Sequence, residues 1–248
     1  MSSTNSQPTE WNGINLAENR AKMERGELYT AFVPDLIAER RRAAQACAKY
    51  NREATEVSRR EQVEILKKCI PTLPDLPPKK DNEEEDEAQL GEYPWFEMPF
   101  KCDYGDRLVV GKNVYANFGF IALDTCKITL GDRILFGPNV HLYAASHPLD
   151  PAIRQGTAGP ENGGPINVGA DCWFGGNVTV LANVNIGRGC VIGAGSIVTK
   201  TVPPFVVAAG NPARIIKKVE SEWATEYFKE HPEEEWFPTK DVAKAKSD

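Results

Sequence analysis

The sequence predicts a mainly β protein built as a parallel β-helix. Three observations carry this: an aliphatic row that repeats every six residues, small residues beside that row, and one long Pro- and Gly-rich interruption. The row runs Leu130, Phe136 and Leu142 in one block, then Val168, Phe174, Val180, Ile186, Ile192 and Val198 in a second. A companion row sits two residues earlier, at Ile166, Cys172, Val178, Val184, Cys190 and Ser196. Repetition at a short fixed period marks a solenoid, and a hexapeptide period marks a parallel β-helix. Each hexapeptide is one short strand and a tight corner. Three make a triangular coil, coils stack at about 4.8 Å, and the repeat is long enough for about five coils, or about 24 Å. The rows point inward, and no coil buries its core without its neighbours. Antiparallel sandwiches space their strands at about 8–12 residues, which an unbroken register of six does not fit. Gly131, Gly137, Gly169, Gly175, Gly187 and Gly193 follow the row directly. They are expected to turn the corners, where a missing Cβ relaxes the backbone.

Before the repeat, residues 16–70 read as an N-terminal helical segment. Pro34 suits a first helical position, and Asp35–Tyr50 continues without a breaker. Within 55–70, Val63, Leu66 and Ile70 give one apolar face. Residues 71–91, PTLPDLPPKKDNEEEDEAQLG, hold four prolines and an acidic run and read as a solvated linker. The β-helix takes 92–218. The tail, 219–248, reads as helical from the spacing of Trp223, Tyr227 and Phe228, with Trp236 and Phe237 beyond. It is expected to pack on the end of the prism, because exposed strand edges need cover.

Composition excludes several classes. The 248 residues carry a net charge of −6, which argues against nucleic acid as the main partner. No apolar stretch reaches the length of a membrane span, and the first residues lack a secretory pattern. Six cysteines lie far apart with no CxxC, too sparse for a disulfide scaffold and wrongly spaced for zinc. A reduced, cytoplasmic protein is expected.

The interruption is where chemistry is expected. From Leu142 to Val168 is 26 residues, four hexads plus two. Residues 146–165, SHPLDPAIRQGTAGPENGGP, include four Pro and four Gly and must leave the prism as a loop. Loops held by rigid scaffolds carry function. Of the three histidines, His231 follows an acidic, aromatic stretch, His141 lies inside the repeat, and His147 stands where the coil ends and the loop begins. His147 is the candidate. A catalytic zinc needs three ligands close together, and His231 makes a poor third, so no metal is expected.

The stretches LYTAFVPDLIAERRRAAQACAKYN, FKCDYG, YANFGF, AASHPLDPAIR, CWFGGNV, IGAGSIVTK and VVAAGNPARIIKK occur in that order. Over residues 16–218 they resemble the maltose and galactoside O-acetyltransferases of the hexapeptide acyltransferases, and FKCDYG and AASHPLDP are closer to the maltose branch. The resemblance implies a left-handed coil, an exception to the right-handed crossover rule. It also implies a homotrimer with active sites between prisms, and acetyl-CoA as co-substrate. His147 falls on the family's catalytic position. A sugar hydroxyl is a poor nucleophile, and a neutral imidazole in reach takes its proton as the C–O bond forms. The oxygen attacks the thioester directly in a ternary complex, with backbone N–H groups holding the oxyanion. A covalent cysteine route is the alternative.

The resemblance places Gly176, Ala194, Thr199, Lys200, Arg214 and Lys217 along the coenzyme, whose phosphates need cations and backbone donors. Lys217 stands where the galactoside branch has Arg, keeping charge but losing the planar fork. Trp173 is either a wall of the acyl tunnel or surface packing. Asp103, Asn117 and Asp124 face the acceptor by resemblance; the alternative for each is a corner-capping residue. Between Ala116 and Leu130 the register also slips by two. Where bacterial relatives carry an acidic acceptor contact, this chain has Ala31 or Val33, with Asp35 a few residues on. Two rival functions follow: acetylation of another hydroxyl acceptor, an antibiotic or a glycan, and a non-catalytic trimeric scaffold.

Overall fold

The computed structural model describes residues 9–235; Trp236 and Phe237 of the tail lie outside them. The N-terminal helices form where the chain supplies caps and an apolar face. Helix α1 (Leu16–Arg25) starts on Asn15, whose side chain accepts from the Glu18 N–H, and ends at Gly26 in the left-handed region, φ 78°. Helix α2 (Pro34–Glu53) begins on Pro34 and buries Leu36, Ala43, Cys47 and Tyr50. Helix α3 (Arg59–Cys69) starts later than residue 55, because Ser58 and Glu61 close a capping box that sets its first turn.

Residues 71–91 depart from the expected solvated linker. They fold back through a short helix, α4 (Glu83–Ala88), capped by Asn82, and bury Leu73 and Leu90. Asp86 accepts from Arg60 at 2.6 and 2.7 Å and also takes the Lys80 N–H and the Gln89 amide. Arg60 holds that carboxyl well below the usual carboxylate range. Composition sees an acidic run; it does not see that a buried guanidinium on α3 needs one of those carboxylates.

The prism has three faces of parallel strands. The first stacks Trp95–Phe96, Tyr115–Ala116, Leu135–Phe136, Trp173–Phe174, Val191–Ile192 and Val206–Ala209, and the antiparallel strand Arg214–Lys218 closes its upper edge. The second stacks Phe100–Cys102, Phe120–Leu123, His141–Tyr143, Thr179–Leu181 and Ile197–Val198, and the third Leu108–Val110, Ile128–Leu130, Ile166–Val168 and Asn185–Ile186. The first face has six rungs, one more than the expected five. Its inward positions Phe96, Phe136 and Phe174 extend the aliphatic row into an aromatic spine, and the Phe136 and Phe174 rings lie 4.7 Å apart, about one rung. Helix α2 packs on the lowest strand of the second face. Beyond the loop helix α5 (Pro151–Arg154), helix α6 (Glu222–Glu230) seats Ala224 and Phe228 on Phe205 at the upper end. The tail helix is therefore where the pattern placed it.

The glycines beside the row do a different job from the one expected. Left-handed backbone falls two residues further on, at Arg133, Asn139, Asp171, Asn177, Gly189 and Gly195. Gly131 and Gly175 are instead needed because coils touch there: a Cβ would lie 2.6 Å from the Ala170 nitrogen and 2.5 Å from the Ala194 nitrogen, respectively. The corner is turned by Asn, Asp, Arg or Gly, and the preceding Gly lets the next coil settle on it.

The two irregularities in the register prove to be one. From the second face to the third, Val180 to Ile186 takes six residues, whereas Cys102 to Val110 and Ala122 to Leu130 take eight. The extruded loop leaves from the same corner one coil higher. This second-to-third corner absorbs extra chain without disturbing the stack.

Candidate functional site

His147 follows the strand Ala145–Ser146, which pairs antiparallel with Asn162–Gly163 and zips the loop base. The N-terminal segment braces that base. Tyr29 and Glu161 exchange both backbone hydrogen bonds, at 3.0 and 2.9 Å, and the Tyr29 hydroxyl donates to the Glu161 carboxylate at 3.0 Å. Gly26 packs so closely on the returning chain that a Cβ would meet the Gly163 carbonyl at 2.6 Å. His147 is exposed, and its imidazole has no hydrogen bond among the described residues. The braced loop base presents the ring to solvent. His141 points outward on the second face, half-buried, with Nδ1 2.9 Å from the Tyr143 hydroxyl. His231 caps α6, stacks on Tyr227 and is half-buried.

Asp103 and Asp124 share the second-to-third corner with the loop, on the two coils below it. Asp124 is fully buried, and its two oxygens accept from the Tyr104 and Gly105 N–H groups at 2.8 and 2.6 Å. Burial pushes its carboxyl up, and the two backbone donors offset part of that. This is a corner cap. Asp103 is half-buried and carries no hydrogen bond on its carboxylate among the described residues. Burial, then the charge of Asp124, pushes it up to about 6, while Arg40 opposes. Asp103 and Arg40 line a cavity of about 630 Å³ between α2 and the second face, together with Cys47, Asn51, Ile121 and Leu123.

Arg40 and Glu161 are residues at this corner that the sequence reading passed over. Arg40 donates to the Tyr104 hydroxyl at 2.6 Å and the Ala31 carbonyl at 2.8 Å. It lies in a run of three arginines, but shares the helical face of Leu36, Ala43 and Cys47, and that spacing is the signal that singles it out. Ala31 and Val33 are buried. Asp35 pairs with Arg20 at 2.9 Å.

The remaining candidates fall into two stripes. Asn117 lies on the first-to-second corner, half-buried, its side chain accepting from the Phe118 N–H at 2.8 Å. Gly176 and Ala194 stack on that same corner higher up, and Trp173 is 55% exposed on the adjoining first face. Thr199 and Lys200 are exposed on the second-to-third corner, above His147. Arg214 and Lys217 lie on the edge strand that closes the first face. One prism thus holds His147 and Asn117 on different corners. The described residues contain no group of three or more His, Cys, Asp or Glu able to hold a metal ion.

A hexad coil with a loop thrown out at one corner is the architecture of the hexapeptide-repeat transferases, and residues 165–200 match the bacterial transferase hexapeptide repeat. Residues 22–74 match the maltose acetyltransferase hexapeptide capping motif. A crystal structure of a maltose O-acetyltransferase from Clostridium difficile superposes with a TM-score of 0.71 at 35% identity, covering 82% of this chain and 98% of that one. A structure of galactoside acetyltransferase in complex with coenzyme A gives 0.69 at 33% identity, covering 81% and 90%. A putative acetyltransferase of Saccharomyces cerevisiae is 34% identical over 198 residues, 78% of this chain and 89% of its own length. The chain belongs to the maltose and galactoside O-acetyltransferase family and is an acetyltransferase.

Proposed function

We propose that the protein transfers acetyl from acetyl-CoA to a hydroxyl of a maltose- or glucose-like sugar, with His147 as general base. The observation that carries this is an exposed imidazole with no hydrogen bond among the described residues, on a loop base braced from both sides and on the same corner as the Asp103 carboxyl, which likewise has none among them. His147 takes the hydroxyl proton, the oxygen attacks the thioester carbonyl, and coenzyme A leaves as thiolate with the imidazolium able to return the proton. No residue is acylated. The six cysteines are buried and free, which leaves none presented as a nucleophile and suits the reducing cytoplasm.

His147 and Asn117 sit on different corners, so a site that uses both needs a second copy, and a homotrimer supplies one at each interface. The coenzyme then lies between copies. Trp173, Gly176 and Ala194 form the wall on one side, where small residues let the pantetheine arm lie close. Thr199, Lys200, Arg214 and Lys217 offer donors and charge to the phosphates. Asp103 and Asn117 bond sugar hydroxyls, and Asp124 acts by holding the turn that carries Asp103. The relative crystallised with coenzyme A supports the choice of donor.

The test is thiol release from acetyl-CoA with and without maltose, glucose and a β-galactoside, for the wild type and His147→Ala. Sugar-dependent release that falls by about a hundredfold or more in the variant is the expected result for loss of a general base. Release unchanged in the variant removes His147 from that role. Release with a non-sugar hydroxyl acceptor only moves the acceptor class, and no binding of acetyl-CoA at millimolar concentration favours the scaffold. A monomer mass by light scattering overturns the shared site.

A further inference from the structure

The first face carries an outward row that the proposed reaction uses only at its upper end. Trp95, Tyr115, Leu135 and Trp173 pair side by side on successive rungs. At its lower end this row opens into a groove of about 690 Å³ between the first face, the start of α3 and the end of the acidic segment. Trp95, Tyr115, Arg59, Glu97, Glu87 and Asn113 are among its walls.

Trp95 is 40% exposed yet held in place. Its indole N–H donates to Glu97 at 3.0 Å, and the Arg59 guanidinium lies over one face, 4.5 Å from the ring centroid. Arg59 is itself tied to the Tyr93 and Pro94 carbonyls at 2.9 and 3.1 Å and to Gln62 at 2.6 Å. The Tyr115 phenol beside it is pushed up by burial and by the nearby charge of the same Glu97. One carboxylate therefore orients the indole next to a second aromatic ring, in a groove rimmed by Glu87 and Asn113. A sugar ring has the matching chemistry. Its C–H face lies on a π face, and its hydroxyls donate to carboxylates and exchange hydrogen bonds with amides. The two carboxylates disfavour an anionic occupant.

We propose that this groove is a distal acceptor subsite, which binds the units of an oligosaccharide beyond the one that is acetylated. It rests on the reading that Asn117 belongs to the acceptor side. Asn117 follows Tyr115 by two residues, and Trp95 lies one rung below Tyr115, about 4.8 Å along the axis. A linear glucan whose reacting unit meets Asn117 runs down the face onto the indole.

The experiment compares maltopentaose with glucose in two ways, by kcat/KM for acetylation and by calorimetric binding. The proteins are the wild type, Trp95→Leu, which removes the ring and keeps apolar volume, and Trp95→Phe, which keeps a ring. The wild type is expected to favour maltopentaose through KM. Trp95→Leu should cut that preference by about 3- to 10-fold, the scale of one ring contact, with most of it retained in Trp95→Phe. A wild type that treats the two sugars alike, or a preference unchanged in Trp95→Leu, overturns the subsite and leaves sugar acetylation standing. If neither sugar is acetylated, the reaction assignment falls and binding alone decides: maltopentaose heat lost in Trp95→Leu supports the subsite, and no heat with the wild type overturns it.

Discussion

The upper and lower halves of the prism are built from one repeat and spend it differently. From Val168 the coils take 18 residues, as in Val168 to Ile186 and Phe174 to Ile192, until the last, which takes 16 from Ile192 to Ala208. Below, the coils take 20, as in Phe96 to Ala116 to Phe136. The upper coils are bare on their outer faces until α6. The lower coils are wrapped by α1, α2 and α3 and carry every extra residue at one corner. The difference teaches that, in the proposed site, regularity and chemistry are separated. The strict hexads supply a rigid wall, and the corner that tolerates insertion supplies Asp103, Asp124 and His147.

That separation can be broken by experiment. The largest effect is expected from His147→Ala: activity falls by about a hundredfold or more, while the melting temperature stays put, because the imidazole bonds to no described residue. Next is Asp124→Ala. It strands the Tyr104 and Gly105 N–H groups in a buried corner, which costs about 2–4 kcal/mol and lowers the denaturation midpoint measured in urea. A stability equal to the wild type would show that the corner holds without its cap. Gly175→Ala follows, in the regular half. Its Cβ would lie 2.5 Å from the Ala194 backbone nitrogen, and overpacking of this kind costs about 1–3 kcal/mol. Gly195→Ala has nothing within 4 Å and only its φ of 72° against it, so it should be milder, about 1 kcal/mol. Equal effects would refute the close-contact account of the hexad glycines.

The smallest effects are in pH dependence, and they have opposite signs. Asp103 titrates near 6 in the folded chain, above the unfolded value of about 4. The folded state therefore binds the extra proton between about pH 4 and 6, and stability falls as pH rises through that window. Asp103→Asn removes the slope, so its melting temperature relative to the wild type should climb from pH 4 to pH 7. Asp86 is held below the usual range by Arg60. Its contribution is present above the unfolded value and is lost as pH falls through the folded one. Asp86→Asn should therefore be weakest near neutral pH and converge on the wild type in acid. Parallel curves for the two variants would overturn both assignments.

The hexad row made the upper coils legible, since Val168 to Val198 places its inward positions with no tertiary information. Its slip between Ala116 and Leu130 was visible too, but not that the slip and the long loop share a corner. That requires knowing which strands stack. The glycines were legible as necessary and misread in mechanism, because a clash with the next coil leaves the same residue as a strained φ. Asp86 and Arg40 were hidden by their neighbours in charged runs. What selects each is a partner far away in sequence: Arg60 on α3 for one, Tyr104 below the loop corner for the other. Asp103 and Asp124 looked alike in sequence. One N–H pair makes Asp124 a cap, and the lack of one leaves Asp103 open to a ligand.

The brace between Tyr29 and Glu161 joins residues 132 positions apart, and this has a consequence for biosynthesis. At about 5–20 residues per second, the ribosome needs roughly 7 to 26 s to reach Glu161 after Tyr29 has been made. Throughout that interval Leu16, Met23, Tyr29 and Leu36, which end in one buried cluster, lack the loop strand that secures them. This apolar segment is made well before the residue that locks it in place. The nascent chain must carry it unprotected, or under a chaperone's cover, until the third coil has closed.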